Sequence, residues 1–232
     1  MKGFNQSGFV ALAFILVGLI AIPGLAADES KEEQTWFAER VTSGDTGFSL
    51  ERFWSRGSLF RSEAVLGGQP MTTIVNETHY LMIDVLLARG ISIERSARAK
   101  AKDKERGRPF ALEAEKMIED GGEQVSEEKY GLGTCLLFRT TDNIGKREVC
   151  ISDLETKLPI FLRTWHRESN KNVNMRYLNW SRALEMDDTF FKPDPRVKLE
   201  EFTYDAYQKR VAEMPTAPFP LFHPLLLHGS EN

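Results

Sequence analysis

The side chains most able to do chemistry are few in this sequence: two cysteines and four histidines in 232 residues. His79, His166, His223 and His228 are scattered, and surface placement is expected for all four. No Gly-x-Ser-x-Gly, His-Glu-x-x-His, phosphate loop or Gly-x-Gly-x-x-Gly is present, so hydrolytic, zinc-protease and nucleotide chemistry each lack their usual scaffold. Asp187 and Asp188 are adjacent on what reads as a strand. They would then face opposite sides and could not share a proton as an acid–base pair. The expectation is a protein without a catalytic site, without a metal site and without a cofactor.

The cysteines carry the clearest geometric signal. Thr134–Thr141 and Arg147–Ser152 are strand-like runs flanking the turn-rich Asp142-Asn143-Ile144-Gly145. A loop of two residues at 142–143, or of four at 141–144, would place Cys135 directly opposite Cys150. Facing residues of an antiparallel pair have Cβ atoms about 4.5–5.5 Å apart, close to what a disulfide needs. The same pairing sorts the hairpin's faces, with Leu136, Phe138, Val149 and Ile151 on an apolar side and Leu137, Arg139, Glu148 and Ser152 around the cysteines.

A disulfide requires an oxidising compartment, and the N-terminus supplies the route. Lys2 precedes an apolar run from Phe9 to Ile22, followed by Pro23-Gly24-Leu25-Ala26-Ala27 and the charged Asp28–Glu33. That order is the pattern of a secretory signal cleaved near Ala26, and the run is shorter than the roughly 20 apolar residues of a membrane span. Export across an inner membrane into the periplasm follows as an expectation, with residues 1–26 removed.

The elements that must position these residues are mostly strands. A capping box, Ser30-x-x-Glu33, suggests a first helix from Ser30 to about Ser43 that carries Trp36, Phe37 and Val41. Strand patterns follow at Ser49–Trp54, Ser58–Val65 and Met71–Asp84, the last broken near Asn76-Glu77-Thr78. Residues 89–108 hold eight basic and three acidic residues and read as an exposed connection. Pro109 would open a helix with Phe110, Ala114, Met117 and Ile118 on one face, closed by Gly121-Gly122. Strands then recur at 124–130, in the cysteine hairpin, at 158–165 and at 172–180, with a last extended or mixed stretch at 182–191. Residues 198–211 could be strand, helix or both. Many antiparallel strands, two short helices and no βαβ alternation argue for an α+β fold built on a strongly curved antiparallel sheet. Bulk composition agrees, since 41% apolar residues suffice for one domain. A net charge of −4 offers no field for a nucleic acid backbone.

Arg56-Gly57-Ser58-Leu59-Phe60-Arg61-Ser62-Glu63, then Thr72-Thr73-Ile74-Val75-Asn76 and Tyr80-x-x-x-Asp84, resembles the pattern of the LolA/LolB-like periplasmic lipoprotein and lipid carrier superfamily. Cys150-Ile151-Ser152-Asp153-x-Glu155-Thr156-x-Leu158-Pro159 is similar to its strand and turn, and Asp187-Asp188-x-Phe190-Phe191 to its closing strand. The matches cover most of residues 48–205. The resemblance implies an incomplete β-barrel over residues 27–213, with short helices forming a lid over the concave face and an apolar cavity for acyl chains.

The cavity candidates are Phe60, Ile74, Tyr80, Met82, Leu136, Phe138, Val149, Ile151, Met175 and Tyr177, each of which could equally fill a core. Phe110, Met117 and Ile118 are the lid candidates. The implied function is an exported carrier of lipid or lipoprotein acyl chains working between envelope membranes; the alternative is an RseB-like envelope sensor that docks a partner. Implied partners are a lipid or acylated lipoprotein, an inner-membrane transporter or envelope partner, and the membrane surface peripherally. Arg95, Arg98, Lys100, Lys102, Lys104, Arg106 and Arg108 could attract anionic headgroups or form a solvated segment. The Pro-rich apolar tail, 214–232, could touch a partner or membrane, or pack Phe219 and Leu225 on the sheet's own surface.

Overall fold

The computed structural model describes residues 34–45, 47–182, 184–214 and 221–229. The signal sequence, the Ser30-x-x-Glu33 box and Phe219 lie outside them. Two antiparallel meanders make up one open sheet. The first comprises β1 (Thr35–Gly44), β2 (Ser49–Arg56), β3 (Leu59–Leu66), β4 (Gln69–Val75), β5 (His79–Asp84) and β6 (Arg89–Glu94). The second comprises β7 (Glu123–Tyr130), β8 (Gly133–Thr141), β9 (Gly145–Ile151), β10 (Pro159–His166) and β11 (Lys171–Ser181). β11 returns to pair with β1, and β12 (Lys198–Phe202) adds to the far edge, giving twelve strands in the order β12-β6-β5-β4-β3-β2-β1-β11-β10-β9-β8-β7. The order does not close on itself, which agrees with the expected α+β incomplete barrel.

Four helices accompany the sheet among the described residues: α1 (Ala97–Asp103) and α2 (Glu113–Glu119) between the meanders, then α3 (Tyr204–Glu213) and α4 (Pro224–His228) at the C-terminal end. Residues from α2, α3 and α4 join one face of the sheet in the main core, through Ala114, Met117, Tyr207, Leu226 and Leu227. That face is covered because its strands put large apolar side chains inward at every second position, as Phe53, Phe60, Tyr80 and Met82 do.

Several expectations are corrected. Residues 35–44 form a strand and not a helix: Trp36 and Ala38 alternate inward, and the segment is paired on both sides, with β2 and β11. Two flanking strands satisfy its backbone along its length, which outweighs the local helix signal. Residues 89–108 are not an exposed connection. Gly90–Ile93 are buried in β6, α1 follows, and Arg95 and Arg108 are buried. α2 starts at Glu113, because Pro109–Leu112 is an irregular turn in which Ala111 takes a left-handed φ of 56°. β12 runs parallel to β6, so the sheet is mixed. Residues 188–191 form a 3-10 turn capped by Asp187, and Asp188 pairs with Arg56, so the stretch is not a closing strand.

The disulfide joins Cys135 to Cys150 with Cα atoms 5.6 Å apart, but the register differs from the expected one. The loop spans Asp142 to Ile144 with Gly145 opening β9, Asp142 Oδ1 accepts from the Ile144 and Gly145 amides, and Leu137 faces Cys150. Cys135 is therefore the diagonal neighbour. A slip of two residues keeps every side chain on its face, whereas a slip of one would have reversed them. The sorted faces accordingly hold: Phe138, Val149 and Ile151 join the main core, and Leu137 packs with the disulfide and Phe161 on the other side.

Candidate functional site

Of the expected cavity residues, Phe60, Tyr80, Met82, Phe138, Val149, Ile151 and Tyr177 are buried together in the main core, with Leu136 and Met175 half-buried against it. The lid residues Phe110 and Met117 belong to the same cluster and Ile118 packs on it. Ile74 does not. It lies on the opposite face with Leu81 and Ile83, beneath Val197 and Leu199. Both faces of β4 and β5 are apolar, so alternation could not set the parity; across the ladder from Phe60 the partner is Val75.

An open cleft of about 970 Å³ lies between the irregular lid segment 105–120, the tail residues 222–229 and the concave side of the sheet. Phe53, Phe110, Met117, Leu162, Met175 and Phe222 give it apolar walls, and charges of both signs line it, among them Arg98, Lys102, Arg106, Glu113, Glu115 and Glu119. Among the expected cavity residues, Met175 lines this space, together with Phe110 and Met117 of the lid; the other concave-face candidates fill the layer beneath it. The volume is at the upper end of the roughly 300–1,000 Å³ common for small-molecule sites.

A polar network crosses the apolar floor. Arg40 from β1 donates to Glu51 of β2 at 2.6 Å and reaches Tyr177 and Glu113 at 3.5 Å each, while the Tyr177 hydroxyl donates to Glu113 at 2.8 Å. The guanidinium also stacks 5.1 Å from the Phe53 ring. From the tail, His223 Nε2 lies 2.9 Å from Glu51 Oε1 and 3.0 Å from Ser62 Oγ. Burial pushes the Glu51 carboxyl up, but the hydrogen bond and charge of His223, and then those of Arg40, outweigh it and bring its pKa down to about 2. Burial, reinforced by Glu113, raises Tyr177 well above the ordinary phenol range.

Ser62, His223 and Glu51 contain the residue types of a hydrolytic triad without its wiring. In a working triad the hydroxyl and the carboxylate use opposite ring nitrogens, so that the ring passes a proton from one while the other orients it. Here both lie against the same Nε2, and the Ser62 residue is only 2% exposed. Among the described residues no group of three or more side chains is gathered to hold a metal ion.

Sequence reasoning misses this network. The expected first helix takes in Arg40, and surface placement is expected for His223, whereas its side chain is only 12% exposed because residues 221–229 lie against the concave face. His228 is also drawn in, against Tyr204 and Gln208. One signal is available: Glu51 and Ser62 share inward parity with Phe53 and Phe60, and a carboxylate at an inward position demands a buried cation or donor.

The basic stretch is divided in the same way. The Arg95 side chain is fully buried, donating to both Asp103 oxygens at 2.6 and 2.8 Å, to the Leu226 carbonyl at 2.7 Å and to the Asn76 carbonyl at 2.8 Å. Arg108 donates to the Phe110 and Ala111 carbonyls and pairs with Glu115 at 3.0 Å. These two arginines hold the lid and tail; they are not headgroup contacts. Lys102 is paired with Glu105 at 2.6 Å.

An open, curved sheet whose concave face is covered by short helices and an irregular lid segment, with a cleft beneath the lid, defines the class as a lidded half-barrel. No family model matches the sequence, and no curated protein matches it. Solved structures are similar to this chain to different degrees. An uncharacterized conserved protein from Thermus thermophilus has a TM-score of 0.51 at 12% identity, over 73% of this chain and 91% of that one. MucB of Pseudomonas aeruginosa, in its complex with MucA, has a TM-score of 0.46 at 12% identity over 73% of this chain, which spans 59% of the matched chain. A LolA superfamily protein from Nitrosomonas europaea has a TM-score of 0.30 at 9% identity, over 70% and 91%. The Thermus protein carries the statement of fold.

Proposed function

We propose that this protein is an exported, noncatalytic carrier that shields an acyl chain of a lipid or lipoprotein in the cleft under its lid, working in the periplasm between envelope membranes. The observation that carries this reading is the cleft of about 970 Å³ with apolar walls on sheet, lid and tail. Burial of an acyl chain there would be favoured by about 0.8 kcal/mol per methylene. Acidic side chains such as Glu113, Glu115 and Glu119 line the cleft beside Arg98, Lys102 and Arg106, so its fit is to an apolar chain and not to a head group of one charge. The wiring of Ser62, His223 and Glu51 supports binding over hydrolysis, because proton relay through His223 would need both of its nitrogens engaged.

The test is to purify the protein from the envelope of the cells that make it and extract it for mass spectrometry. An acyl lipid at near-stoichiometric amount is the expected result. Protein that comes out empty and takes up no fatty acid from solution refutes the carrier, and if it then captures an envelope protein, the partner-docking role is the better description.

A further inference from the structure

The tail residues 221–229 are held at two places by different chemistry. The C-terminal part is pinned through its backbone. Arg95 Nε donates to the Leu226 carbonyl at 2.7 Å, the Ser96 amide to the Leu227 carbonyl at 3.1 Å, and the Ser96 hydroxyl to the His228 carbonyl at 2.9 Å. Gly229 ends α4 with a φ of 77° and lies so close to α1 that a Cβ there would meet the Ala99 nitrogen at 2.6 Å.

The N-terminal part is held by packing of Leu221 and Phe222 on the main core and, for its polar contacts, by one side chain. His223 reaches Glu51 and Ser62, and its amide donates weakly to the Tyr80 hydroxyl at 3.4 Å. Its ring stands edge-on to Phe60 at 4.8 Å and to Phe53 at 5.8 Å. Phe53 and His223 line the cleft, whereas Phe60 and Tyr80, both fully buried, do not. The imidazole therefore stands between the cleft and a further apolar layer. Releasing it strands no charge, because Glu51 keeps Arg40 at 2.6 Å.

We propose that residues 221–223 are a latch, closed by His223 on Glu51 and Ser62, that keeps Phe60 and Tyr80 packed in the core; opening the latch uncovers these two side chains as an apolar subsite continuous with the cleft and lengthens the space for an acyl chain. The identity of the ligand rests on the carrier reading, but the latch itself does not. Residues 224–229 act as the fixed end of the strap, so opening needs movement of only a few residues.

A thiol reporter tests the latch without any ligand. Cys135 and Cys150 are tied to each other, so Ser62→Cys introduces a single reactive thiol under His223. Slow reaction with a small maleimide is expected for Ser62→Cys alone. Adding His223→Ala should speed labelling at least tenfold, and His223→Gln, whose amide can still donate to Glu51, should restore protection. Equal rates in all three proteins overturn the latch, as does a rate increase that matches the loss of global stability in urea. Binding of palmitate and of an eight-carbon fatty acid provides the second arm. His223→Ala should tighten palmitate severalfold and leave the short acid unchanged. Labelling that responds while no variant binds palmitate keeps the latch and removes the carrier reading; palmitate bound equally by wild type and both His223 variants keeps the carrier and overturns the subsite.

Discussion

The two meanders use the same architecture for different ends. In the first, β4, β5 and β6 are buried almost throughout, and the concave face under Phe60, Tyr80 and Met82 is sealed by α4 and the tail. In the second, β7 is exposed along most of its length, β11 is fully buried only at Tyr177, and Leu162, Thr164 and Met175 face the open cleft. The first half is a closed core, held by packing and by the buried Arg95. The second half has less apolar burial to hold it, and it is where the disulfide lies. In the proposed carrier the cleft side must stay uncovered, and the stability forgone by not packing it is supplied by a covalent cross-link behind the sheet.

The largest effect should come from breaking the packed half. Arg95→Met leaves Asp103 partly buried without its bidentate partner and frees the Leu226 and Asn76 carbonyls, so a loss of about 3–5 kcal/mol is expected in urea unfolding. Retention of wild-type stability would mean that the tail is not part of that core.

Cys135→Ser with Cys150→Ser should cost about 3 kcal/mol, as expected for a loop closed by cysteines 15 residues apart. The loss should concentrate in the open half: hydrogen exchange in β8 and β9 should rise more than in β5 and β6. Uniform acceleration would show that the two halves share one stability.

Acid probes the seam between the halves. The Glu51 carboxyl has a pKa of about 2 in the folded protein against 4.5 unfolded, a depressed value. Its contribution is therefore fully present above about pH 4.5 and is lost as pH falls toward 2, to a total of up to about 3 kcal/mol. Stability measured from about pH 6 to pH 2 should fall accordingly, and Glu51→Gln should flatten that slope. An unchanged slope would separate Glu51 from the network.

The smallest stability effect belongs to the cleft. Met175→Ala, at a half-buried position, should change unfolding by no more than about 1 kcal/mol yet weaken fatty acid binding about tenfold, the equivalent of roughly 1.4 kcal/mol of lost contact. A variant that unfolds readily and binds normally would assign Met175 to the core.

Much of the sheet is legible in the sequence because hairpins announce themselves locally. The runs of β2, β3 and β7 to β11 carry alternation with turn residues close by, β4 and β5 are marked by the turns around them, and the expected cysteine hairpin is correct in faces although not in register. β1 is not legible, since Trp36, Phe37 and Val41 suit a helix face as well as a strand, and its two partners lie in β2 and in β11, the latter more than a hundred residues away. β6 is hidden by its basic surroundings: charge along 89–108 signals exposure, while Arg95 and Arg108 are buried because backbone carbonyls and carboxylates from elsewhere meet them.

The α+β class with a mainly antiparallel sheet, the short helix that carries Ala114 and Met117 on its apolar face, and the pairing of the two cysteines all follow from residue types and spacings that act over short stretches of chain. Folding alone settles which faces of β4 and β5 point inward, that the tail returns to the concave side, and that Arg40, Glu51, Ser62, Glu113, Tyr177 and His223 converge. Those residues come from strands, lid and tail far apart in the chain, and only the joining of two meanders into one curved sheet brings their charges within reach of each other.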